Sequence, residues 1–165
     1  MKIPKKLQIF NPCNDALQWI KQQTSKQRAW DSCERGDWML WLLGRLSGPV
    51  DSKSRKKLVL TCCECAELSL HFFDKYPTNN RPRKCIEITR LYCINKASLE
   101  EVNAAAAYAA ATAAYIATAA YIATADAAYA AADAAAYAAN YASDRQLTLK
   151  QCADIVRKYY PKSPI

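Results

Sequence analysis

Glycine is almost missing from this chain, at three in 165 residues, Gly36, Gly44 and Gly48. A phosphate-cradling loop needs several small residues in close succession, so the P-loop and dinucleotide-fingerprint classes are excluded. Histidine occurs once, as His71 between Leu70 and Phe72, and reads as a core or edge residue. No Ser or Cys beside it forms a nucleophile–base pair. β-branched residues are sparse and never alternate over a strand-length window, which argues against a sheet. The seven prolines keep to the ends and the connections. Long apolar runs are absent too. Met1–Phe10 carries positive charge without the apolar stretch of a signal peptide. The longest uncharged run, Val102 to Ala125, is mostly Ala with some Thr, far weaker than Leu or Ile for membrane insertion. The expectation is a cytoplasmic protein without catalytic residues, cofactor, metal or membrane span.

What is present is helical. Alanine is abundant, and Leu and Lys accompany it, a composition that favours helix. Asn14 or Asp15 is expected to cap a first helix carrying Ala16, Leu17, Trp19 and Ile20. A short second stretch holds Trp30 and Cys33. Asp37 is then expected as N-cap of Trp38–Leu46, a helix stopped by Gly48-Pro49. Lys53–Tyr76 reads as one long helix closed by Pro77. Asn79-Asn80-Arg81-Pro82 reads as a turn opening the next, with Ile86, Leu91, Tyr92 and Cys93 on it. Ser98-Leu-Glu-Glu101 has the form of a capping box, and Thr148-Leu-Lys-Gln151 repeats it before a final helix at 148–160.

The eight cysteines could suggest disulfides. Cys62, Cys63 and Cys65 lie instead in Leu58–Leu70, which reads as a buried helix, so reduced thiols acting as small hydrophobes are expected. A zinc site on Cys62 and Cys65 with His71, Cys85 or Cys93 is the alternative. Such pairs usually sit on tight turns, and no second C-x-x-C follows.

Charge is unevenly placed. Residues 1–97 hold 18 Lys and Arg against 9 Asp and Glu, a net +9, whereas residues 98–165 hold 5 against 6, a net −1. No basic residue lies between Lys96 and Arg145. Only the first part could attract an acidic partner. Two basic runs, Lys53, Arg55, Lys56 and Lys57, then Arg81, Arg83 and Lys84, are candidates for contact with phosphates or an acidic surface. Arg35-Gly36-Asp37 reads as a helix-start turn with Arg35 in a structural ion pair. Trp30, Cys33, Trp38 and Trp41 belong to the same structural motif. Glu64 and Glu67 share a helix face, which alone is weak evidence for acid–base work.

Residues 98–142 are nearly all alanine, punctuated by Tyr108, Tyr115, Tyr121, Tyr129, Tyr137 and Tyr141. At about 100° per residue, five of these tyrosines fall within roughly 120°, with Tyr121 off the arc. Asp126, Asp133 and Asp144 share it. Tyr108, Tyr115, Tyr129, Tyr137, Asp126 and Asp133 are candidates for a rigid partner-binding stripe, or else they pack on the basic half as core. One straight helix over this tract would be roughly 68 Å long, so a break is expected near Thr124–Asp126. Thr112, Thr118 and Thr124, six apart, rotate around a helix instead of aligning, which disfavours an ice-binding or purely structural role.

Several ordered motifs resemble one family. The most specific is the stretch from Ala29 to Arg45, Ala-Trp-Asp-Ser-Cys-Glu-Arg-Gly-Asp-Trp-Met-Leu-Trp-Leu-Leu-Gly-Arg. Before it stand Cys13 and Ala16-Leu-x-Trp19. After it come Leu58-Val-Leu-x-Cys-Cys-x-Cys-Ala, Ser98-Leu-Glu-Glu, the Ala/Tyr/Asp tract and Gln151-Cys-Ala-Asp-Ile-Val-Arg157. Together they resemble immunity proteins of bacterial polymorphic toxin systems, relatives of which also occur in phages. The resemblance implies an all-helical, non-catalytic protein that neutralises a toxin by direct binding or, in phages, inhibits a host defence effector. This chain differs from the usual pattern in being basic and rich in Lys and Cys.

The reading is therefore an all-α, single-domain multi-helix bundle over 1–165. It has a basic subregion at 1–97 and a long Ala/Tyr-rich helix or helix pair at 98–142. Its expected function is stoichiometric inhibition of a protein partner. The alternatives are a nucleic-acid or nucleotide binder and, last, a structural or ice-binding protein.

Overall fold

A computed structural model describes residues 1–68, 70, 80–110 and 145–165. Every regular element among them is an α-helix: α1 (Lys5–Ile9), α2 (Asn14–Lys21), α3 (Lys26–Ser32), α4 (Gly36–Leu46), α5 (Lys53–Glu67), α6 (Arg81–Cys93), α7 (Leu99–Ala110) and α8 (Arg145–Tyr159). The all-α expectation holds.

Helical spacing of apolar and small residues builds the core. On α8, Leu149, Cys152, Ala153 and Val156 are all buried and follow the i, i+3, i+4, i+7 pattern that puts side chains on one face. On α6 the buried set is Pro82, Cys85, Ile86, Thr89, Tyr92 and Cys93. On α5 it runs Leu58, Val59, Thr61, Cys62, Cys63, Cys65 and Ala66. α6 packs between α5 and α7, while α8 packs on α4 and α5. Among the described residues, the hydroxyls of the fully buried Thr61 and Thr89 donate to the carbonyl one turn back, Thr61 to Lys57 at 2.9 Å and Thr89 to Cys85 at 2.7 Å, so neither is left unsatisfied.

Seven cysteines are buried and all eight are free thiols, Cys13 alone being exposed. Burial pushes the thiols of Cys85 and Cys93 up to about 11 and that of Cys62 higher. They behave as the small hydrophobes the sequence suggests. Among the described residues, no group of three or more His, Cys, Asp or Glu is arranged to hold a metal ion. No helix among them is long and apolar enough to cross a membrane.

Helix boundaries separate good signals from misleading ones. Ser98 and Glu101 form the reciprocal box, with Ser98 N–H donating to Glu101 at 2.7 Å and Glu101 N–H to the Ser98 hydroxyl at 3.1 Å. Pro82 sits in the first turn of α6, after the N-cap Asn80. Ser25 and Ser52 cap α3 and α5 through their hydroxyls.

Other expectations need correction. α1 was not anticipated. The N-cap of α2 is Cys13, not Asn14 or Asp15, and makes no side-chain cap bond; Asp15 instead places its charge in the positive first turn. α4 starts at Gly36 with Arg35 as N-cap, because the Asp37 carboxylate is bonded to Arg35 and not to the backbone. α5 stops at Glu67, where the Leu68 N–H turns back onto the Cys65 and Ala66 carbonyls. Thr148 is not the N-cap; it lies inside α8, which is already helical at Arg145, and is buried there. A Thr-x-x-Gln pattern fits a helix interior whenever the Thr has somewhere to pack. His71, Tyr76, Pro77, Asn79 and the expected break near 124–126 lie outside the described residues.

Candidate functional site

Three short helices and one longer one surround a cleft of about 340 Å³. α2 brings Ala16, Trp19 and Ile20, at i, i+3 and i+4. α3 brings Lys26, Ala29 and Trp30. α4 brings Asp37, Trp38, Trp41 and Leu42, and Cys33 and Arg35 come from the intervening turn. All four tryptophans of the chain line it. The residues read from sequence as one structural motif, Trp30, Cys33, Arg35, Asp37, Trp38 and Trp41, are thus brought together around one cavity. Sequence reading missed the contribution of α2, although the spacing of Ala16, Trp19 and Ile20 carried the signal.

The cleft floor is held from behind by the chain's last described segment. Trp30 is buried, and its indole N–H donates to the Tyr160 carbonyl at 2.6 Å. The Arg157 guanidinium donates to the Cys33 carbonyl at 2.7 Å and to the Trp30 carbonyl at 3.2 Å. These are groups at the C-terminus of α3, where a cation complements both orphan carbonyls and helix dipole. Arg157 is in turn fixed by Asp154 at 2.7 Å.

The cleft wall is equally ordered. Arg35 Nε donates to Asp37 at 2.8 Å, and a second nitrogen meets the other carboxylate oxygen. This two-point pair raises the guanidinium's already high pKa. It also holds Arg35 4.3 Å above the Trp38 ring. Trp38 meets the edge of Trp19 at 6.1 Å and 61°. Arg45 lies over Trp41 at 5.8 Å. The structural ion pair expected of Arg35 is present, with Asp37 as partner. Burial pushes the Cys33 thiol up to about 11, so at neutral pH it stays protonated and contributes apolar surface. Trp19, Trp38 and Trp41 stay half-buried. The cleft offers stacking, burial and hydrogen-bond donors.

The two basic runs are not brought together. Lys56 at the start of α5 donates to Asn95 at 2.6 Å, pairs with Asp51 at 3.3 Å and lies over the Tyr92 ring. Arg55 donates to the Gly48 carbonyl at 3.0 Å, and Lys57 covers Tyr160. This run sits by the C-terminal end of α6 and is largely engaged within the fold, with Lys53 and Lys57 exposed. Arg81, Arg83 and Lys84 occupy the opposite end of α6, roughly 16 Å away at 1.5 Å per residue. Of the tyrosine–aspartate stripe, Tyr108 lies in α7; Tyr115, Tyr129, Tyr137, Asp126 and Asp133 lie outside the described residues.

A comparison with protein families finds that residues 48–161 match the model described as "Imm-5 like putative immunity protein". Comparisons with curated proteins and with solved structures find no match. The matched segment holds α5 to α8 and begins after α4, so the tryptophan cleft is lined by residues that precede it and by Ser163 and Ile165 that follow it, joined to it through Tyr160 and Arg157. With more than two thirds of its length matched, the chain belongs to the family of Imm-5 like immunity proteins.

Proposed function

We propose that this protein acts in the cytoplasm as a non-catalytic inhibitor, binding a toxin or defence effector one to one. Family membership is the observation that carries this reading. A pre-ordered aromatic cleft and the +9 balance of residues 1–97 are what a surface built to hold a protein of complementary charge would offer. The tyrosine–aspartate stripe around Tyr115 and Tyr129 is a second candidate surface.

Affinity capture with the full chain, repeated at low and high salt and after nuclease treatment, tests the proposal. The expected result is a protein recovered in equimolar amount under every condition, whose toxicity is suppressed on co-expression. Recovery of nucleic acid alone, lost at high salt, would overturn it and turn attention to Lys53–Lys57 and Arg81–Lys84.

A further inference from the structure

The tryptophan cleft leaves a specific problem of physical chemistry unsolved within the chain. Burying an indole is strongly favourable, yet three of the four indoles are left partly exposed around one concavity. Among the described residues, the indole N–H groups of Trp19, Trp38 and Trp41 have no acceptor, whereas that of Trp30 does. The rings are nevertheless fixed, by edge contact between Trp19 and Trp38 and by the Arg35 guanidinium that Asp37 locks over Trp38. A site ordered before its occupant arrives loses little side-chain entropy on binding. A volume of about 340 Å³ lies within the roughly 300–1,000 Å³ of clefts that enclose small ligands or anchor side chains.

The electrostatics choose the occupant. Lys26 stands on the cleft wall and has no ion-pair partner among the described residues. Across α1, α2 and α3, Lys5, Lys6, Lys21, Lys26 and Arg28 outnumber the two carboxylates, Asp15 and Asp31. Asp37 is already consumed by Arg35. A cationic ligand would meet an aromatic face that Arg35 occupies and the free ammonium of Lys26. A polyphosphate would find an apolar floor. We infer that this cleft is the docking site for an acidic peptide segment of the partner, which inserts an aromatic or branched aliphatic side chain among Trp19, Trp38 and Trp41 while a carboxylate meets Lys26 on the cleft wall and the net positive charge of α1, α2 and α3 favours its approach. The inference rests on the inhibitor reading, and it names the surface that reading would use. The indole N–H groups donate to the segment's backbone or carboxylate oxygens, and the anchor completes the burial the chain leaves undone.

Selection from a displayed library of 12-residue peptides against the full-length chain tests this without any partner in hand. The expected winners carry Asp or Glu flanking Trp, Phe, Leu or Ile. A synthetic winner should change the tryptophan emission on titration and lose at least about tenfold in affinity when its anchor is replaced by Ala. Trp41→Ala should weaken it similarly. Lys26→Glu, a change of an exposed side chain, should weaken it several-fold and reduce its dependence on salt. A selection that yields no binder, or winners without acidic residues, would overturn the inference. So would winners that hold Trp41→Ala and Lys26→Glu as tightly as the unaltered chain. If captured partner protein binds both variants undiminished, the inhibitor reading stands and the cleft is not its surface.

Discussion

Gly36, at the start of α4, lies against Cys152 of α8 with no room for a side chain between them. A Cβ built on Gly36 would also come within 2.8 Å of the Ala153 nitrogen and 2.8 Å of the Leu149 carbonyl oxygen. Two of these three neighbours are backbone atoms of a packed helix, which cannot step aside. In a free helix Gly→Ala stabilises by roughly 1 kcal/mol. Here the sign reverses. Gly36→Ala is expected to destabilise the protein by about 1–3 kcal/mol through overpacking, seen as a lower midpoint in urea. An unchanged or raised midpoint would mean that α4 and α8 are not in this close contact.

Arg157 ties α8 to the cleft floor, so its loss should be felt in both places. Arg157→Met keeps much of the stem but leaves the Trp30 and Cys33 carbonyls without their charged donor. The expected cost is about 2–3 kcal/mol, with tryptophan emission shifted to longer wavelength as the floor loosens. Asp154→Asn, which removes only a solvent-facing ion pair, should cost less than about 1 kcal/mol.

Thiol accessibility checks the packing of α5, α6 and α8 together. In the native protein Cys13 alone should react promptly with an aromatic disulfide reagent. The other seven should react at least about a hundredfold more slowly, since each must wait for an opening of the structure. All eight should react in guanidinium without added reductant. A denatured count below eight would reveal disulfides, and several fast native thiols would contradict the burial described here.

Alkaline pH should weaken the fold in a defined window. Cys33, Cys85 and Cys93 are pushed up to about 11 by burial from an ordinary value of 9.0. Tyr92, buried and bonded to Asp51, and Tyr159, bonded to Glu64, are pushed up to about 12 from 10.0. Above pH 9 the unfolded chain releases thiol protons that the folded chain retains, so the folded state holds more protons and stability falls as pH rises. The thermal midpoint should be level up to about pH 8.5 and then fall continuously through pH 11, by at least about 5 °C. A flat profile across that interval would show that these thiols are solvated.

Several of these features were legible in the residues themselves because their causes are local. The box of Ser98 and Glu101 spans one turn, Pro82 suits a first turn by its own ring geometry, and the cysteines of α5 recur on a face that has no polar use. The pair of Arg35 and Asp37 was visible for the same reason, two residues apart. Where local signals failed, a distant element had intervened. Asp37 is a good capping residue, but its carboxylate is taken by Arg35, which Trp38 holds in place. Thr148 fits a cap equally well, yet it is enclosed within α8.

The residues alone carried the helical class, the starts of α5, α6 and α7, the reduced and buried character of the thiols and the family. Each follows from spacing within one helix or from ordered motifs along the chain. Tertiary packing is what brings Trp19 of α2 to Trp38 and Trp41 of α4 around one cleft. It alone showed that Tyr160 and Arg157 support that cleft from the far end of the chain, and that the two basic runs lie at opposite ends of α6. Those arrangements depend on how helices rotate and approach one another, and here that is governed by contacts such as Gly36 against Cys152, more than a hundred residues apart, which periodicity along a single helix does not encode.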